Sequence, residues 1–196
     1  MKALRSAVTS ASWTALECVA SDCWVAALNS NAVPLAQRAF NAISEESHGI
    51  SSKQIAVGLA AKYSFDLRNC LGTILQPKFD FTGVSGIKKA YKAVFSESES
   101  LLDALDELRL NELEATRHLI VHRAGIVDEE YSNRISGALP VGAPLELDEK
   151  KVREFVELAS LAGGAILVSV DRWLCELPGL SAGEVSADGV SPPFIS

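Results

Sequence analysis

Apolar residues recur every three or four positions along most of this chain, the spacing that places them on one face of an α-helix. The clearest series lies in the last third of the sequence, after Asp148, a residue type that caps helix starts. Its apolar members, all predicted to face a core, are Val152, Phe155, Ala159, Ala162, Ile166, Val170 and Trp173. This pattern predicts a long amphipathic helix.

The same periodicity predicts five further helices. The first covers Trp13–Leu28, and the second starts near Pro34 and ends at about Ser47. Ser51-Ser52 cap a long third helix that ends at Gln76-Pro77. Its buried side is predicted to carry Ala56, Leu59, Tyr63, Leu67, Cys70 or Leu71, and Ile74. After a packed loop over residues 78–86, a short helix covers residues 87–95.

Ser98 opens the fifth predicted helix, which has heptad-like spacing. Its inward-facing stripe is predicted to consist of Leu101, Leu105, Leu108, Glu112, Ala115, Leu119 and His122. Gly125 stands where a left-handed residue would end this helix. Residues 126–146 contain Gly137, Pro140, Gly142 and Pro144, and we expect a long loop there with a short strand-like pair.

These elements predict an all-α fold, an up-and-down bundle of four to five long helices. We expect residues 1–50 to form N-terminal helices packed on the bundle, and residues 51–176 to form the bundle itself. Residues 177–196, which hold four Ser, three Gly and three Pro, are predicted to be a disordered tail.

Composition narrows the function classes. Hydrophobic residues make up 48% of the 196, enough to bury a continuous core. The formal net charge of −7 argues against a surface that coats nucleic acid, because such surfaces are strongly basic. Four scattered cysteines without a CxxC pair indicate buried free thiols in a reducing compartment.

Membrane insertion is not expected from the sequence. The N-terminal stretch lacks the apolar segment of a signal peptide. The longest apolar run, Leu158–Val170, has 13 residues, whereas a bilayer requires about 20. We therefore predict a cytoplasmic protein with no membrane partner.

Chemistry-bearing residues concentrate in the segment from Glu114 to Gly125, for which three interpretations compete. In the first, His122 is a structural histidine at the edge of the core, favoured in a last helical turn by the helix dipole. In the second, Glu114, His118 and His122, spaced by four residues, line one helix face and bind zinc. No cluster of further ligands accompanies them, and His48 is remote in sequence.

The third interpretation is metal-free phosphoryl transfer. RNA carries its own nucleophile, the 2′-hydroxyl, and is cleaved when a base removes its proton and a cation stabilises the phosphorane. Histidine titrates in the right range for the acid and base roles. Arginine presents a fixed fork of donors to phosphate oxygens. Arg117 and His122 supply this pair within six residues.

This segment resembles the motif of the HEPN domain family. Arg117-His118-Leu-Ile-Val-His122 matches its form, an arginine, a polar residue, three further residues and a histidine. The following Arg-Ala-Gly-Ile-Val-Asp, from Arg123 to Asp128, is similar to what many bacterial members carry after the motif histidine. The resemblance covers about Ser51 to Trp173 and includes the segment from Gly86 to Phe95.

The resemblance implies a helical bundle that dimerises and places two copies of the motif across a shared cleft. It also implies a metal-independent endoribonuclease, often a toxin or anti-phage effector, that leaves a 2′,3′-cyclic phosphate and uses no cofactor. Arg117 would be the motif arginine, His118 its polar neighbour and His122 the motif histidine. Other members of the family are inactive and bind a nucleotide or a protein partner, which is the alternative function for this chain.

Helix geometry constrains how the motif could act. On an ideal helix the directions of Arg117 and His122 differ by about 140°. One protomer therefore cannot aim both at one phosphate from a regular helix. Either Arg117 reaches around, or the last turn loosens before Gly125, or a partner subunit completes the site. The dimeric site that the resemblance implies fits the third option. Glu114 is placed to orient His118, but a solvated charge is the simpler expectation for it.

Further contacts to RNA are predicted around the motif. Arg123 stands beside the motif histidine. We expect Asp128 and Tyr131 to fix the loop after the motif, and Tyr131 could alternatively stack on a base. Lys88, Lys89 and Lys92 form a positive patch with no acidic residue between Val84 and Phe95. We expect RNA and a second copy of the chain as partners, together with an antitoxin or another protein. The negative surface then predicts a selective cut in an accessible loop.

Overall fold

The computed structural model of the protein describes residues 2–30, 32–46, 55, 57–137 and 139–175. The predicted caps Ser51 and Ser52 and the predicted tail, residues 177–196, lie outside these ranges, as does His48.

The described chain folds into helices joined by loops, the longest of which connects α8 to α9, and this confirms the predicted all-α class. The α-helices are α1 (Lys2–Ser30), α2 (Ala32–Glu46), α3 (Val57–Lys62), α4 (Leu71–Leu75), α5 (Val84–Val94), α6 (Glu99–Leu105), α7 (Leu108–His122), α8 (Glu129–Arg134) and α9 (Glu149–Cys175). A 3₁₀ turn, Gln76–Lys78, follows α4. Over the ranges described, extended pairing is limited to one isolated antiparallel bridge between Ile126 and Pro144.

Helix α1 lies within the bundle and contacts α2, α4, α5, α7 and α9. It extends well beyond the predicted Trp13–Leu28 at its N-terminal end. Trp13 and Trp24 are fully buried on its inner face. The indole N–H of Trp24 donates to the carbonyl oxygen of Ala90 at 3.1 Å, so this large ring is buried without losing its polar partner. The predicted N-terminal helices therefore supply a share of the core.

The predicted third long helix is wrong. Between residues 57 and 75, all of which are described, the chain forms two short helices, α3 and α4, separated by a turn in which Ser64 and Phe65 have positive φ angles of 54° and 59°. Asp66 stabilises this turn because its carboxylate accepts from the backbone N–H of Arg68 at 3.2 Å and from its guanidinium. Local hydrogen bonding by Asp competes with helix formation, and here it outweighs the apolar periodicity.

The predicted helix from Ser98 to His122 is broken after Leu105. The Glu107 carboxylate accepts from the backbone N–H of Arg109 and starts α7 anew. The break shifts the register, so Leu108 is 81% exposed although the stripe placed it inside, whereas Leu110 and Leu113 are fully buried. Ala115 and Leu119 of the predicted stripe are nevertheless buried, whereas His122, its last member, is exposed at the end of the helix.

Helix α9 follows the prediction closely. Asp148 caps it by accepting from the backbone N–H of Lys151 at 2.7 Å. Of the predicted inner face, only Trp173 is partly rather than fully buried. By length and composition alone this helix could cross a membrane, a property that the uninterrupted run of 13 residues did not indicate. Core helices of soluble proteins share it, and Phe155, Ala162 and Ile166 of α9 are core residues.

Candidate functional site at the end of helix α7

Helix α7 ends at His122 in a tight reversal of the chain. Ala124 and Gly125 both have positive φ angles, 52° and 73°, and the backbone N–H of Gly125 donates to the carbonyl oxygen of Leu119 at 2.9 Å. The predicted left-handed glycine is therefore confirmed. This reversal leaves the last turn of α7 at an open end of the bundle, where His122 and Arg123 are exposed.

His118 and His122 form a contacting pair on this last turn. Their ring centroids lie 4.7 Å apart, with 44° between the ring planes. His118 is half-buried and lines a cavity of about 10 Å³ with Asp128, Tyr131 and Arg134. That volume is too small for a nucleotide, so a ligand at this pair would have to bind from the open side of His122.

Asp128 organises the loop after the motif, as the sequence predicted. One carboxylate oxygen accepts from the backbone N–H of Tyr131 at 2.9 Å and so caps α8. The other accepts from Nε of Arg123 at 3.2 Å. The pKa of Asp128 is lowered, chiefly by the hydrogen bond from the Tyr131 N–H. The hydrogen bond and charge of Arg123 and the charge of His118 lower it further. Asp128 therefore stays anionic beside the histidine pair and holds Arg123 near it.

Arg117 faces the side of α7 opposite to His122. Its Nη2 atom lies 4.0 Å from Oε2 of Glu17 on α1, and its buried Nε atom has no hydrogen-bond partner. The other oxygen of Glu17 accepts from the indole N–H of Trp13 at 2.6 Å. Burial raises the pKa of Glu17, although the hydrogen bond from Trp13 and the charge of Arg117 act against this rise.

Arg117 and His122 therefore do not converge within one protomer, in agreement with the angular separation expected on a regular helix. The sequence analysis missed Glu17 as the neighbour of Arg117. The only local signal was its spacing of four residues from Trp13, which aligns the two side chains on one helix face. The contact with Arg117 joins positions a hundred residues apart and has no signature in the sequence.

Glu114 has a structural role that neither prediction for it anticipated. Its Oε2 atom accepts from the backbone N–H of Val84 at 3.2 Å and from Nη2 of Arg134 at 2.8 Å. One carboxylate thus joins α7 to the start of α5 and to α8. Glu114 is neither a solvated charge nor a partner that orients His118.

The predicted stacking of Tyr131 on a base does not fit its position. The residue is 6% exposed and packs in a small cluster with Ala115, Leu119 and Val127. Its hydroxyl lies 3.4 Å from Oγ1 of Thr116. The ring therefore has no face open to a nucleotide, and Tyr131 stabilises the loop after the motif through this packing.

The predicted lysine patch on α5 is not brought to the histidine pair. Lys88 forms an ion pair with Asp106, which partly neutralises the patch although no acidic residue interrupts it in sequence. Val84, at the start of α5, contacts Glu114, whereas Lys88 contacts the residue just before α7. Helix α5 therefore runs away from the end of α7, and Lys88, Lys89 and Lys92 lead away from His122.

A zinc site at Glu114, His118 and His122 receives no support. Throughout the part of the chain that the structure describes, no three His, Cys, Asp or Glu side chains are grouped so as to hold a metal ion. Glu114 is engaged elsewhere, as described above.

Comparison with known proteins gives no assignment. The chain matches no family model, no curated protein and no solved structure at a significant level.

Proposed function

We propose that this protein is a metal-independent endoribonuclease of the HEPN type that cleaves RNA through its 2′-hydroxyl and leaves a 2′,3′-cyclic phosphate. The observation that carries the proposal is the contacting pair of His118 and His122 on an open helix end, with the exposed Arg123 beside it. The resemblance of residues 117–128 to the HEPN motif supports it. The proposal includes a cytoplasmic location and a role as a toxin or phage-defence effector.

His122 is the general acid/base in this mechanism. It is the exposed member of the pair, so an RNA backbone can approach it without rearrangement of the bundle. Imidazole exchanges protons near neutral pH and can take the proton of the 2′-hydroxyl or return one to the leaving 5′-oxygen. His118, in ring contact below it, positions His122.

The cations of the site come from two sources in this proposal. Arg123, 60% exposed and held by Asp128, contacts the phosphate beside His122. Arg117 stabilises the transition state from the second protomer of a dimer, because within its own protomer it faces Glu17 of α1. The negative net charge favours a selective cut in an accessible loop of RNA.

A second candidate function is a non-catalytic dimer that binds a nucleotide or a protein partner. The observation that favours it is the placement of Arg117, which is only 28% exposed and lies against Glu17. An arginine that serves mainly to join α7 to α1 would leave the histidine pair without its catalytic cation.

An RNA cleavage assay in EDTA separates the two functions. We expect the wild-type protein to cut RNA in chelator, and His122→Ala to lose about 10²–10⁴-fold in rate. Arg117→Ala should lose a comparable factor, and Arg123→Ala should weaken RNA binding. Arg68→Ala is the matched control, since Arg68 is also an exposed arginine in a local ion pair, with Asp66.

Two results would refute the nuclease mechanism: loss of wild-type activity in chelator, or full activity in His122→Ala. A folded wild-type protein that binds nucleotide or protein but leaves RNA intact would instead support the non-catalytic function. Sequencing of RNA after induced expression would identify the target, and sequence-blind digestion would contradict the predicted selectivity.

A further inference from the structure

Helices α1 and α9 pack side by side and run in the same direction. The guanidinium of Arg5 donates to the carbonyl oxygen of Leu147, just before α9, at 3.1 Å. Further along, a Cβ atom on Gly163 would lie 3.9 Å from the side chains of both Leu16 and Val19. Successive positions of α1 therefore meet successive positions of α9, and the parallel pair leaves a groove along its outer side.

This groove is apolar and has a volume of about 590 Å³. Its walls are formed by Val8, Leu16 and Val19 of α1 and by Val156 and Leu167 of α9, with small residues between them. These small residues are Ala11, Ser12, Ala15, Ala159, Ser160, Gly163 and Gly164.

The surface around the groove is also apolar. On α9, Leu161 is 71% exposed, Val168 57% and Leu167 52%. Residues 158–170 of α9 and 6–16 of α1 contain no charged residue. Contiguous apolar surface of this kind is typical of an interaction site, because water solvates it poorly.

The shape of this face is complementary to itself. Leucine side chains project from it at Leu161 and Leu167, and glycines leave depressions at Gly163 and Gly164. A Cβ atom added at Gly164 would meet nothing within 4 Å, so there is open space for a side chain from outside. Projections and depressions on one patch are what an isologous interface requires, since each copy supplies both.

The charges at the two ends of the face are complementary when one copy is reversed. Lys150 and Arg153, 85% and 69% exposed, lie near the N-terminal end of α9, where they also form ion pairs with Glu154 and Glu149 of the same helix. Asp22 and Asp171 are exposed at the opposite end of the α1–α9 pair. The dipoles of two parallel helices add, so the backbone contribution is positive at the N-terminal end of this pair and negative at the other, while the side chains at each end carry both signs. A reversed second copy would bring each end against its opposite.

A two-fold axis near Ser160 and Leu161 satisfies this arrangement. Lys150 and Asp171 lie about ten residues on either side of that point, or about 15 Å along the helix, and would exchange places across the interface. Glu157, also exposed, would lie opposite Gly164, where no side chain competes for space.

We propose that this face is the surface through which two copies of the chain associate, with the α1–α9 pair of one packed antiparallel on that of the other. The proposal does not rest on nuclease activity. A bilayer is the less favoured occupant, because the other side of α9 carries the fully buried Phe155 and Ile166, which cannot leave the core.

Analytical ultracentrifugation of the full chain without RNA tests this proposal. We expect the wild-type protein to be a dimer. Leu161→Glu and Val168→Glu should each raise the Kd of the dimer at least about 30-fold, as for a central interface residue. Val57→Glu is the matched control: Val57 is 74% exposed on α3, outside the α1–α9 face, so the variant should remain a dimer. Circular dichroism verifies that each variant is folded.

A charge exchange tests the antiparallel orientation. Lys150→Asp and Asp171→Lys should each weaken the dimer, and the double variant should regain most of the lost affinity. A monomeric wild type, or a Leu161→Glu variant that dimerises like wild type, would overturn the proposal. So would binding of the wild-type monomer to phospholipid vesicles through Leu161, or dimerisation only after residues 176–196 are removed.

Because assembly is measured without RNA, its failure is distinct from failure of the nuclease function. A wild-type monomer that cleaves RNA would overturn the interface, and with it the action of Arg117 across a dimer, but not the nuclease activity. A dimer that leaves RNA intact would overturn the nuclease alone.

Discussion

Arg117 of α7 and Glu17 of α1 face each other at 4.0 Å, in a junction that the indole of Trp13 completes by donating to Glu17. The arginine of the HEPN-like motif is thereby linked to a helix that lies outside the stretch of resemblance. In the proposed nuclease, the availability of Arg117 to RNA would thus depend on α1 as well as on α7.

The Glu17 carboxyl should give the protein a specific pH dependence of stability. Because burial raises the pKa of Glu17 above 4.5, the folded protein retains a proton there that the unfolded chain has already released. The free energy of unfolding then falls as the pH rises from near 4.5 through the raised value. We expect Glu17→Gln to lack this fall, measured by urea unfolding at a series of pH values.

A companion variant, Arg117→Gln, should enlarge this pH dependence of stability, whereas Glu17→Gln removes it. The charge of Arg117 opposes the raised pKa of Glu17, so Arg117→Gln should raise that pKa further and extend the fall in stability to higher pH. Parallel stability curves for the wild type and Glu17→Gln would contradict the role assigned to this carboxyl.

The chain reversal after His122 should respond oppositely to two neighbouring substitutions. Ala124 has a φ of 52°, which is unfavourable for a residue with a Cβ atom, and Gly125 has a φ of 73°, which glycine tolerates. We expect Ala124→Gly to stabilise the protein and Gly125→Ala to destabilise it, each by about 1 kcal/mol. Urea denaturation midpoints measure both changes, and shifts of the same sign would show that the reversal has a different backbone conformation.

The docking of α4 on α1 should depend on the absence of a side chain at Gly72. A Cβ atom there would lie 2.4 Å from the carbonyl oxygen of Val25 and 3.0 Å from Cβ of Leu28. Backbone atoms cannot yield easily, so we expect Gly72→Ala to cost about 1–3 kcal/mol in thermal or urea unfolding.

Gly58 provides the matched control for Gly72. It is also a helical glycine, but an added Cβ atom would meet nothing within 4 Å. Gly58→Ala should therefore stabilise the protein by up to about 1 kcal/mol, through helix propensity alone. Equal effects of the two substitutions on the free energy of unfolding would show that the close approach of Gly72 to α1 does not limit stability.

Sequence periodicity predicted best the helix that no local hydrogen bond interrupts. Helix α9 is the best example, since its cap at Asp148 and its buried face both agree with the structure. Periodicity failed where a local hydrogen bond breaks the helix. Asp66 and Glu107 each bond to a backbone N–H two residues later, and such bonds outweigh a continued stripe of apolar residues.

Local geometry at the candidate site was largely predictable, and long-range contacts were not. The turn at Gly125 and the stabilising role of Asp128 follow from short-range rules for glycine and aspartate. The contacts of Arg117 with Glu17 and of Glu114 with Val84 depend on how three helices cross. No spacing within α7 could reveal them.

The pairing of α1 with α9 also determines the order in which the protein can be assembled during synthesis. Translation produces α1 first, and α2, α4 and α7, which contact it, follow well before α9. These helices can cover parts of α1 on the nascent chain. The flank of α1 that carries Leu16 and Val19 stays exposed to solvent until residues near Gly163 emerge from the ribosome. Of the surfaces of α1, this flank therefore waits longest for its packing partner.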